Sequence, residues 1–295
     1  MTLPTRIQEQ KIAPSNAVFN FVVSDPIVVP PQPIGPNKRR EIMSNQILQH
    51  LAMPGESAEY RTARNKLLTE EMALRRQIQS VAAARRALPA GGAVTQDYLF
   101  DGNDGPLKLS DLFRPGIDTL AIYSFMYGPE KELPCTGCTH FLDGLDGMVQ
   151  HITQRINLAV VAKSPLPRLL ALARGRGWRA LPLLSTHGNS FDRDYFGDSS
   201  GLPDAVLKQQ AFKAGEEWDM PMLNVFQRRG KVIRHFWGSE LLYVPPEPGQ
   251  EYRHNDALDS LWNLLDLTPE GRGDFHPQLS YPSINSKDTC HAQQA

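Results

Sequence analysis

The run Thr119-Leu-Ala-Ile-Tyr-Ser-Phe-Met126 is followed, nine residues on, by the pair of cysteines in Cys135-Thr-Gly-Cys138. An almost unbroken apolar run of this length is typical of a central strand that is covered on both faces of a sheet. From Thr136 to about Ile152 the pattern is that of a helix. The two cysteines are therefore predicted to lie where a buried strand has ended and a helix begins.

Predicted strands and helices alternate on both sides of this stretch. A strand, then a short helical turn, are predicted before it, and strands, helices and a late hairpin after it. Their predicted bounds are 94–100 (strand), 109–113 (turn), 156–162 (strand), 165–177 (helix), 181–185 (strand), 222–227 and 232–237 (hairpin), and 256–265 (helix). Residues 187–218 are predicted to be irregular with short helices at most.

This order predicts parallel strands joined by crossover helices, with an antiparallel edge added late. It is the order of an α/β fold of thioredoxin-like type, a three-layer sandwich whose mixed central sheet carries helices on both faces. A doubly wound nucleotide-binding sheet is the ordinary alternative. It is disfavoured because neither G-x-G-x-x-G nor G-x-x-x-x-G-K-[ST] follows a predicted strand.

The composition divides the chain into four segments. Residues 1–55 include a proline-rich run from Pro26 to Pro36 and are predicted to be extended and poorly ordered. Residues 56–92 are predicted to form a charged amphipathic helix, residues 93–273 the thioredoxin-like domain, and residues 274–295 a loose tail.

The N-terminal amphipathic helix has one apolar stripe, and its other faces are rich in charge. The stripe comprises Leu67, Leu74, Ile78, Val81 and Leu88, and residues 57–88 hold seven Lys or Arg against three Asp or Glu. A basic helix invites a nucleic-acid interpretation, but a solvated charged face with an apolar back is the commoner arrangement. We expect the stripe to pack on the main domain or on a second copy in a homodimer.

Bulk properties exclude several classes of protein. The net charge is −1, with 41% hydrophobic and 21% charged residues among 295, so no global field favours nucleic acid or an anionic membrane. No apolar run approaches the roughly 18 residues of a spanning helix, and no convincing export signal is present. A cytoplasmic protein is expected, with no nucleic-acid or membrane partner.

The cysteine pair is predicted to be redox-active. Three cysteines are too few for a disulfide scaffold. A helix N-terminus stabilises a thiolate, so Cys135 is the predicted nucleophile and Cys138, one turn on, the resolving thiol. Pro134 is expected to fix the start of the helix, and Thr136 and Gly137 to leave the approach open. The opposing interpretation is a pair of inert thiols in a fold that has lost its activity.

Three further sets of residues near the site have open interpretations. Pro221, before the hairpin, is either a cis-proline opposite the cysteines or an edge-strand proline in trans. His140 and His187 are weak candidates for binding a metal with the thiols. Zinc is disfavoured because a structural site takes four ligands, and copper is chemically compatible with two thiolates. The acidic residues nearest the cysteines in sequence are interpreted as solvated helix-face charges: Glu132, Asp143 and Asp146.

The chain resembles a bacterial thioredoxin-like family known as domain of unknown function 899, over about residues 57–273. The matching motifs, besides the cysteine pair, are Asp97-Tyr98-Leu-Phe100-Asp-Gly102, Leu109-Ser-Asp-Leu-Phe113, Phe125-Met-Tyr-Gly-Pro129, Gly177-Trp178 and Leu264-Leu-Asp-Leu-Thr-Pro-Glu-Gly-Arg272. The resemblance implies the thioredoxin-like fold and leaves the function open. In peroxiredoxins a threonine precedes the peroxidatic cysteine by three residues; here Glu132 precedes Cys135, so the typical peroxidase signature is absent.

Three functions compete on this basis. The first is an enzyme, a thiol–disulfide oxidoreductase that acts on a disulfide-containing protein or a small thiol without a bound cofactor. The second is a non-catalytic binding or scaffold module with the same fold. The third and weakest is a copper or other metal-handling protein.

Overall fold

A computed structural model describes residues 53–210, 212, 217–250, 253 and 257–281. The predictions for residues 1–52 and 282–295 therefore lie outside the described residues. The chain divides into two compact units, Met1–Gln77 and Ile78–Ala295.

The first long helix, α1, spans Ala58–Arg86 and none of its 29 residues is buried. Ser57 caps its start, because its hydroxyl accepts from the Tyr60 amide at 3.1 Å. On its surface Arg64 pairs with Glu71 at 2.9 Å. A helix over this segment is thus present, while its apolar stripe, including Leu74 and Ile78, is exposed.

A sheet of seven strands forms the centre of the second unit. Its strands are β1 (Leu99–Gly102), β2 (Gly105–Lys108), β3 (Thr119–Ser124), β4 (Asn157–Ala162), β5 (Leu183–Ser185), β6 (Leu223–Arg229) and β7 (Val232–Gly238). Their order is β2-β1-β5-β4-β3-β6-β7. Strands β3, β4 and β5 are parallel, and the remaining pairings are antiparallel.

Further helices accompany the sheet, and the part of the chain that the structure describes contains five of them. They are α2 (Thr136–Ile152), α3 (Leu166–Arg176), α4 (Phe191–Asp194), α5 (Asp204–Gln209) and α6 (Ser260–Leu265), with 3₁₀ turns at Leu109–Leu112, Ser199–Gly201 and Glu240–Tyr243. No described helix is both long enough and apolar enough to span a lipid bilayer.

Two buried clusters, one on each face of the sheet, make this a three-layer α/β sandwich. Leu142 of α2 and Leu169 of α3 pack with Tyr123 in one cluster. Ile122, the neighbour of Tyr123 on β3, packs with Phe191 of α4 in the other. The alternation along β3 reflects the two-residue period of a strand covered on both sides. The predicted thioredoxin-like fold is confirmed.

The predicted strand at 94–100 is wrong in its bounds. The strand begins only at Leu99, and a tight hairpin follows it, in which Gly102 pairs with Gly105. Gly105 has a φ of +115°, a backbone angle that residues with a side chain rarely adopt. The hairpin reverses the chain within two residues and adds the edge strand β2. This strand was not predicted from the sequence.

Candidate active site

Strands β3 and β4 are parallel and end at one edge of the sheet, where the loop from β3 to α2 delivers the cysteines. The guanidinium of Arg168, on α3, holds this loop by hydrogen bonds to main-chain atoms of the loop. It donates to the carbonyl oxygens of Gly128 at 3.1 Å, Pro129 at 2.9 Å and Glu132 at 3.0 Å, and it also bonds that of Lys131. A single side chain thus fixes the approach to the cysteines.

Cys135 is the N-cap residue of α2, with extended backbone angles of φ −59° and ψ 128°. Its amide donates to the Met126 carbonyl at 3.1 Å, and its own carbonyl accepts from the Thr139 amide at 3.0 Å and the Thr139 hydroxyl at 2.7 Å. Its Sγ accepts from the Cys138 amide at 3.5 Å. The sulfur therefore faces the amide donors at the start of a helix.

These donors make Cys135 acidic. The side chain of Cys138, followed by the amides of Cys138 and Gly137, lowers the pKa of the Cys135 thiol to about 6, against the opposing effect of partial burial. The side chain stays partly exposed to solvent. At neutral pH most of this sulfur is thiolate, which is the nucleophilic form.

Cys138 has the opposite character, although it lies only three residues on. It is 3% exposed, and burial raises the pKa of its thiol well above the ordinary value; the neighbouring Cys135 raises it further. Both cysteines are free. The pair thus combines a partly exposed, acidic thiol with a buried, neutral one.

The residues predicted to support the pair lie at the following places. Pro134 is buried immediately before the N-cap, and Thr136 is exposed at the first helical position. A Cβ added at Gly137 would stand 3.9 Å from Cys135 Sγ, so glycine leaves that side of the sulfur open. Pro221 lies two residues before β6, whose Leu223 pairs with Tyr123. No described peptide bond is cis, so of the two alternatives for Pro221 the structure adopts trans.

The two histidines considered as metal ligands lie in different surroundings. His140 Nε2 contacts Asp259 Oδ2 at 2.6 Å. His187 lines a separate cavity that also contains Lys163. Among the described residues, no group of three or more His, Cys, Asp or Glu side chains is arranged to hold a metal ion.

Two of the three acidic residues interpreted as solvated charges are only partly exposed and are held by hydrogen bonds, which corrects that prediction. Asp143 pairs with Arg176 and accepts from the indole of Trp178 at 2.7 Å, and these donors lower its pKa although burial opposes them. Asp146 accepts from three successive amides of residues 179–181 at 3.0, 2.8 and 3.0 Å. Both tie α2 to neighbouring segments. Glu132 is exposed, as predicted.

The structure adds two residues that the sequence did not indicate. The side chain of Tyr123, on β3, packs in the same buried cluster as Cys138. Asp259, 7% exposed, caps α6 by accepting from the Leu261 amide at 3.0 Å and pairs with His140. Tyr123 was hidden within an apolar run, and Asp259 lies more than a hundred residues from the cysteines, so spacing gave no signal.

A groove of about 1080 Å³ lies beside the site, between α2, α6 and residues 274–281. His140 and Asp259 line it, together with exposed apolar side chains that include Leu264 and Tyr281. This volume is slightly above the roughly 300 to 1,000 Å³ that is usual for small-molecule pockets.

A second cavity, of about 430 Å³, lies at the carboxyl ends of β4 and β5. Lys163 contacts Asp219 at 3.2 Å and Asp198 at 3.5 Å there, and it also pairs with Glu217. Beside them, burial raises the pKa of Asp192 to about 6, although two hydroxyl donors oppose the shift. These groups form a self-paired polar network.

The model of the family described as "Bacterial protein of unknown function (DUF899)" matches residues 51–289, most of the chain. The chain belongs to this family. The resemblance found from the sequence motifs is thereby confirmed. A comparison with curated proteins found no match.

Comparison with solved structures found similar proteins at low identity. The peroxidoxin BcpB from Mycobacterium tuberculosis is 14% identical, with 58% of this chain and 94% of that one covered at a TM-score of 0.33. A putative protein disulfide isomerase from Bacteroides thetaiotaomicron is 16% identical, with 59% and 92% covered at a TM-score of 0.30. Overlaps of this quality carry no information about chemistry, and the thioredoxin-like fold of this DUF899 protein rests on its strand order and two-sided core.

Proposed function

We propose that this protein is a thiol–disulfide oxidoreductase in which Cys135 is the nucleophile and Cys138 the resolving thiol. The observation that carries the proposal is the position of Cys135 Sγ. It is partly exposed at the N-cap of α2, with a pKa lowered to about 6. A thiol whose pKa lies near ambient pH combines a high fraction of thiolate with good nucleophilicity.

The reaction proceeds in two displacements. The Cys135 thiolate attacks one sulfur of a substrate disulfide, the substrate S–S bond breaks, and a mixed disulfide forms while the first thiolate leaves and takes a proton. Cys138 then loses its proton and attacks Cys135 Sγ, which forms the Cys135–Cys138 disulfide. The second substrate thiolate leaves with a proton, so the substrate gains two electrons and the protein loses two.

An external dithiol must then reduce the protein for a second turnover. The substrate is a disulfide-containing protein or a disulfide of a small thiol, because the exchange requires nothing beyond sulfur chemistry. The buried position of Cys138 supports its assigned role. A thiol that solvent cannot reach reacts with the adjacent mixed disulfide rather than with a free substrate.

Alkylation and thiol counting test the proposal. In a Cys290→Ser background, the rate of Cys135 alkylation by iodoacetamide should rise with pH around a midpoint near 6, while Cys138 stays unmodified. In a separate sample that has not been alkylated, incubation with glutathione disulfide should lower the number of free thiols by two. It should also lower the protein mass by that of two hydrogen atoms. In the same background, Cys138→Ser should stop at a stable glutathione adduct, and Cys135→Ser should form none. An alkylation midpoint at the ordinary cysteine pKa would refute the proposal.

The groove beside the site favours a second candidate, a binding module whose cysteines do not cycle. Leu264 is 62% and Leu267 79% exposed on its rim, and exposed apolar patches of this kind mark interaction sites. Once a partner that binds the groove is known, its affinity for different forms of the protein discriminates between the binding module and the oxidoreductase. Binding that is unchanged when both cysteines are serine favours the module, and binding that depends on their redox state favours the enzyme.

A further inference from the structure

We propose that Arg168 is a positioning residue of the thiol–disulfide exchange. Its guanidinium keeps the loop of residues 127–134 in one conformation, and the loop in turn keeps the Cys135 sulfur at the start of α2. The inference rests on the proposed function and extends it to a residue on a neighbouring helix.

The loop at 127–134 has few hydrogen bonds of its own. One closes its base, where the Cys135 amide donates to the Met126 carbonyl at 3.1 Å. Another lies within it, from the Lys131 amide to the Gly128 carbonyl at 3.2 Å. The conformation of the loop therefore depends on groups outside it.

Arg168 supplies the hydrogen bonds that the loop lacks. Each of its two terminal nitrogens binds two of the four loop carbonyl oxygens, which belong to Gly128, Pro129, Lys131 and Glu132. Within the described part of the chain, the last three of these oxygens accept a hydrogen bond from no other donor. A guanidinium can serve several acceptors at once because its donors form a rigid planar fork.

The arginine is itself held at a rigid place. It lies in the first turn of α3, where its amide donates to the Pro165 carbonyl at 3.0 Å. Its guanidinium also stacks on the buried ring of Tyr127 at 4.2 Å. The start of α3 is joined to the loop a second time, because the Ser164 amide donates to the Tyr127 carbonyl at 3.0 Å. Arg168 thus ties the loop to a fixed support.

The position of Cys135 depends on this loop. Only two residues separate the last bonded carbonyl from the cysteine, and the second of them, Pro134, is buried. Cys135 Sγ accepts from the Cys138 amide at 3.5 Å, which is a long contact that a small displacement would break. A loop that moves outward takes the sulfur away from the helix start that stabilises its thiolate. Reactive groups need support of this kind to stay in a productive geometry.

The arrangement acts through its shape rather than through its charge. The donors of Arg168 are directed at main-chain oxygens spread over residues 128–132. Lysine has the same charge, but its ammonium is a compact point on a flexible stem and cannot reproduce the fork. Arg168→Lys therefore separates the two explanations.

The pH profile of Cys135 alkylation by iodoacetamide tests the proposal in the full chain with Cys290→Ser. In Arg168→Met the rate at pH 7 should fall by about threefold to tenfold, and the midpoint should rise above 6, since the sulfur leaves the amides of α2 for part of the time. Complete loss of the stabilisation corresponds to about thirtyfold, the ratio of thiolate fractions at pH 7 for pKa values of about 6 and about 8.5. Arg168→Lys should shift the profile in the same direction.

Arg114→Met is the matched control. This guanidinium also binds main-chain carbonyl oxygens, those of Thr153 and Ile156, and it donates to Asn157 Oδ1 at 2.9 Å, all beyond the far end of α2. Its loss should destabilise the fold in urea unfolding and leave the alkylation profile of Cys135 unchanged. A profile that shifts in this variant as well would reveal a general loosening of the fold and refute a specific role for Arg168.

The remaining outcomes separate this inference from the proposed function. An unchanged midpoint in Arg168→Met, or a wild-type profile in Arg168→Lys, would overturn the role of the fork and leave the oxidoreductase standing. Far-UV circular dichroism checks that each variant is folded, and Arg168→Lys, which keeps the stem and the charge, decides alone if the methionine variant is not. A wild-type midpoint at the ordinary cysteine value would overturn both.

Discussion

Helices α1 and α2 both follow from apolar residues at helical spacing, yet they differ in what covers them. Over its 29 residues α1 buries no side chain. In 17 residues α2 buries five, among them Cys138, Leu142 and Leu145. The difference teaches that periodicity predicts a helix and its apolar side, whereas the stability and chemistry of that helix depend on the surface against which the side packs.

The largest effect expected from this contrast is at the centre of α2. Leu142→Ala removes a fully buried side chain and should lower the free energy of unfolding by about 3 to 4 kcal/mol, because the surroundings fill such a cavity only in part. Urea unfolding followed by far-UV circular dichroism measures the loss. A loss below about 1 kcal/mol would mean that the α2 core is much looser than described.

The next effect comes from the cap of α2. The folded pKa of Cys135 is about 6, below the value of about 8.5 for an unfolded cysteine. The thiolate therefore adds stability as pH rises from 6 to 8.5, and this contribution is lost as pH falls through 6. After discounting for partial exposure, we expect about 2 kcal/mol between these limits.

Reduced wild type and Cys135→Ser provide the comparison for this prediction, in the Cys290→Ser background with a non-thiol reductant. Their difference in unfolding free energy should grow with pH over that window. A difference independent of pH would contradict the acidic thiol.

A somewhat smaller effect is expected where α2 holds the chain before β5. Asp146→Ala leaves three amides of residues 179–181 without their acceptor and should cost about 1 to 2 kcal/mol in unfolding free energy. Asp146→Asn is the control, since it keeps an acceptor oxygen, and it should cost less. Equal losses in thermal unfolding would show that charge rather than hydrogen bonding matters here.

The smallest effect is expected on α1. Leu74 is 59% exposed, so Leu74→Ala should change the unfolding free energy by less than about 0.5 kcal/mol in dilute protein. A loss that grows with protein concentration would show a second copy covering the stripe. The homodimer through residues 57–88 stays a prediction that sedimentation of wild type and variant can check.

The sequence predicted the parts of the molecule that depend on neighbouring residues. The apolar run at 119–126 and the Cys-x-x-C spacing were enough to place Cys135 at a helix start, because local pattern determines both elements. The contacts of Asp143, Asp146 and Asp259 were missed. Each joins segments far apart in sequence, and only the tertiary fold brings them together. The edge strand at 105–108 was not predicted, since both strands of the hairpin at 99–108 are too short for a clear alternation.

Arg168 has a consequence for how this family can vary. Its guanidinium binds the loop before Cys135 through main-chain carbonyl oxygens, which every amino acid has. Such a tether is indifferent to side-chain identity. The exposed residues 129–132 can therefore change while the Cys135 sulfur keeps its place, so the surface beside the cysteines can evolve separately from their position.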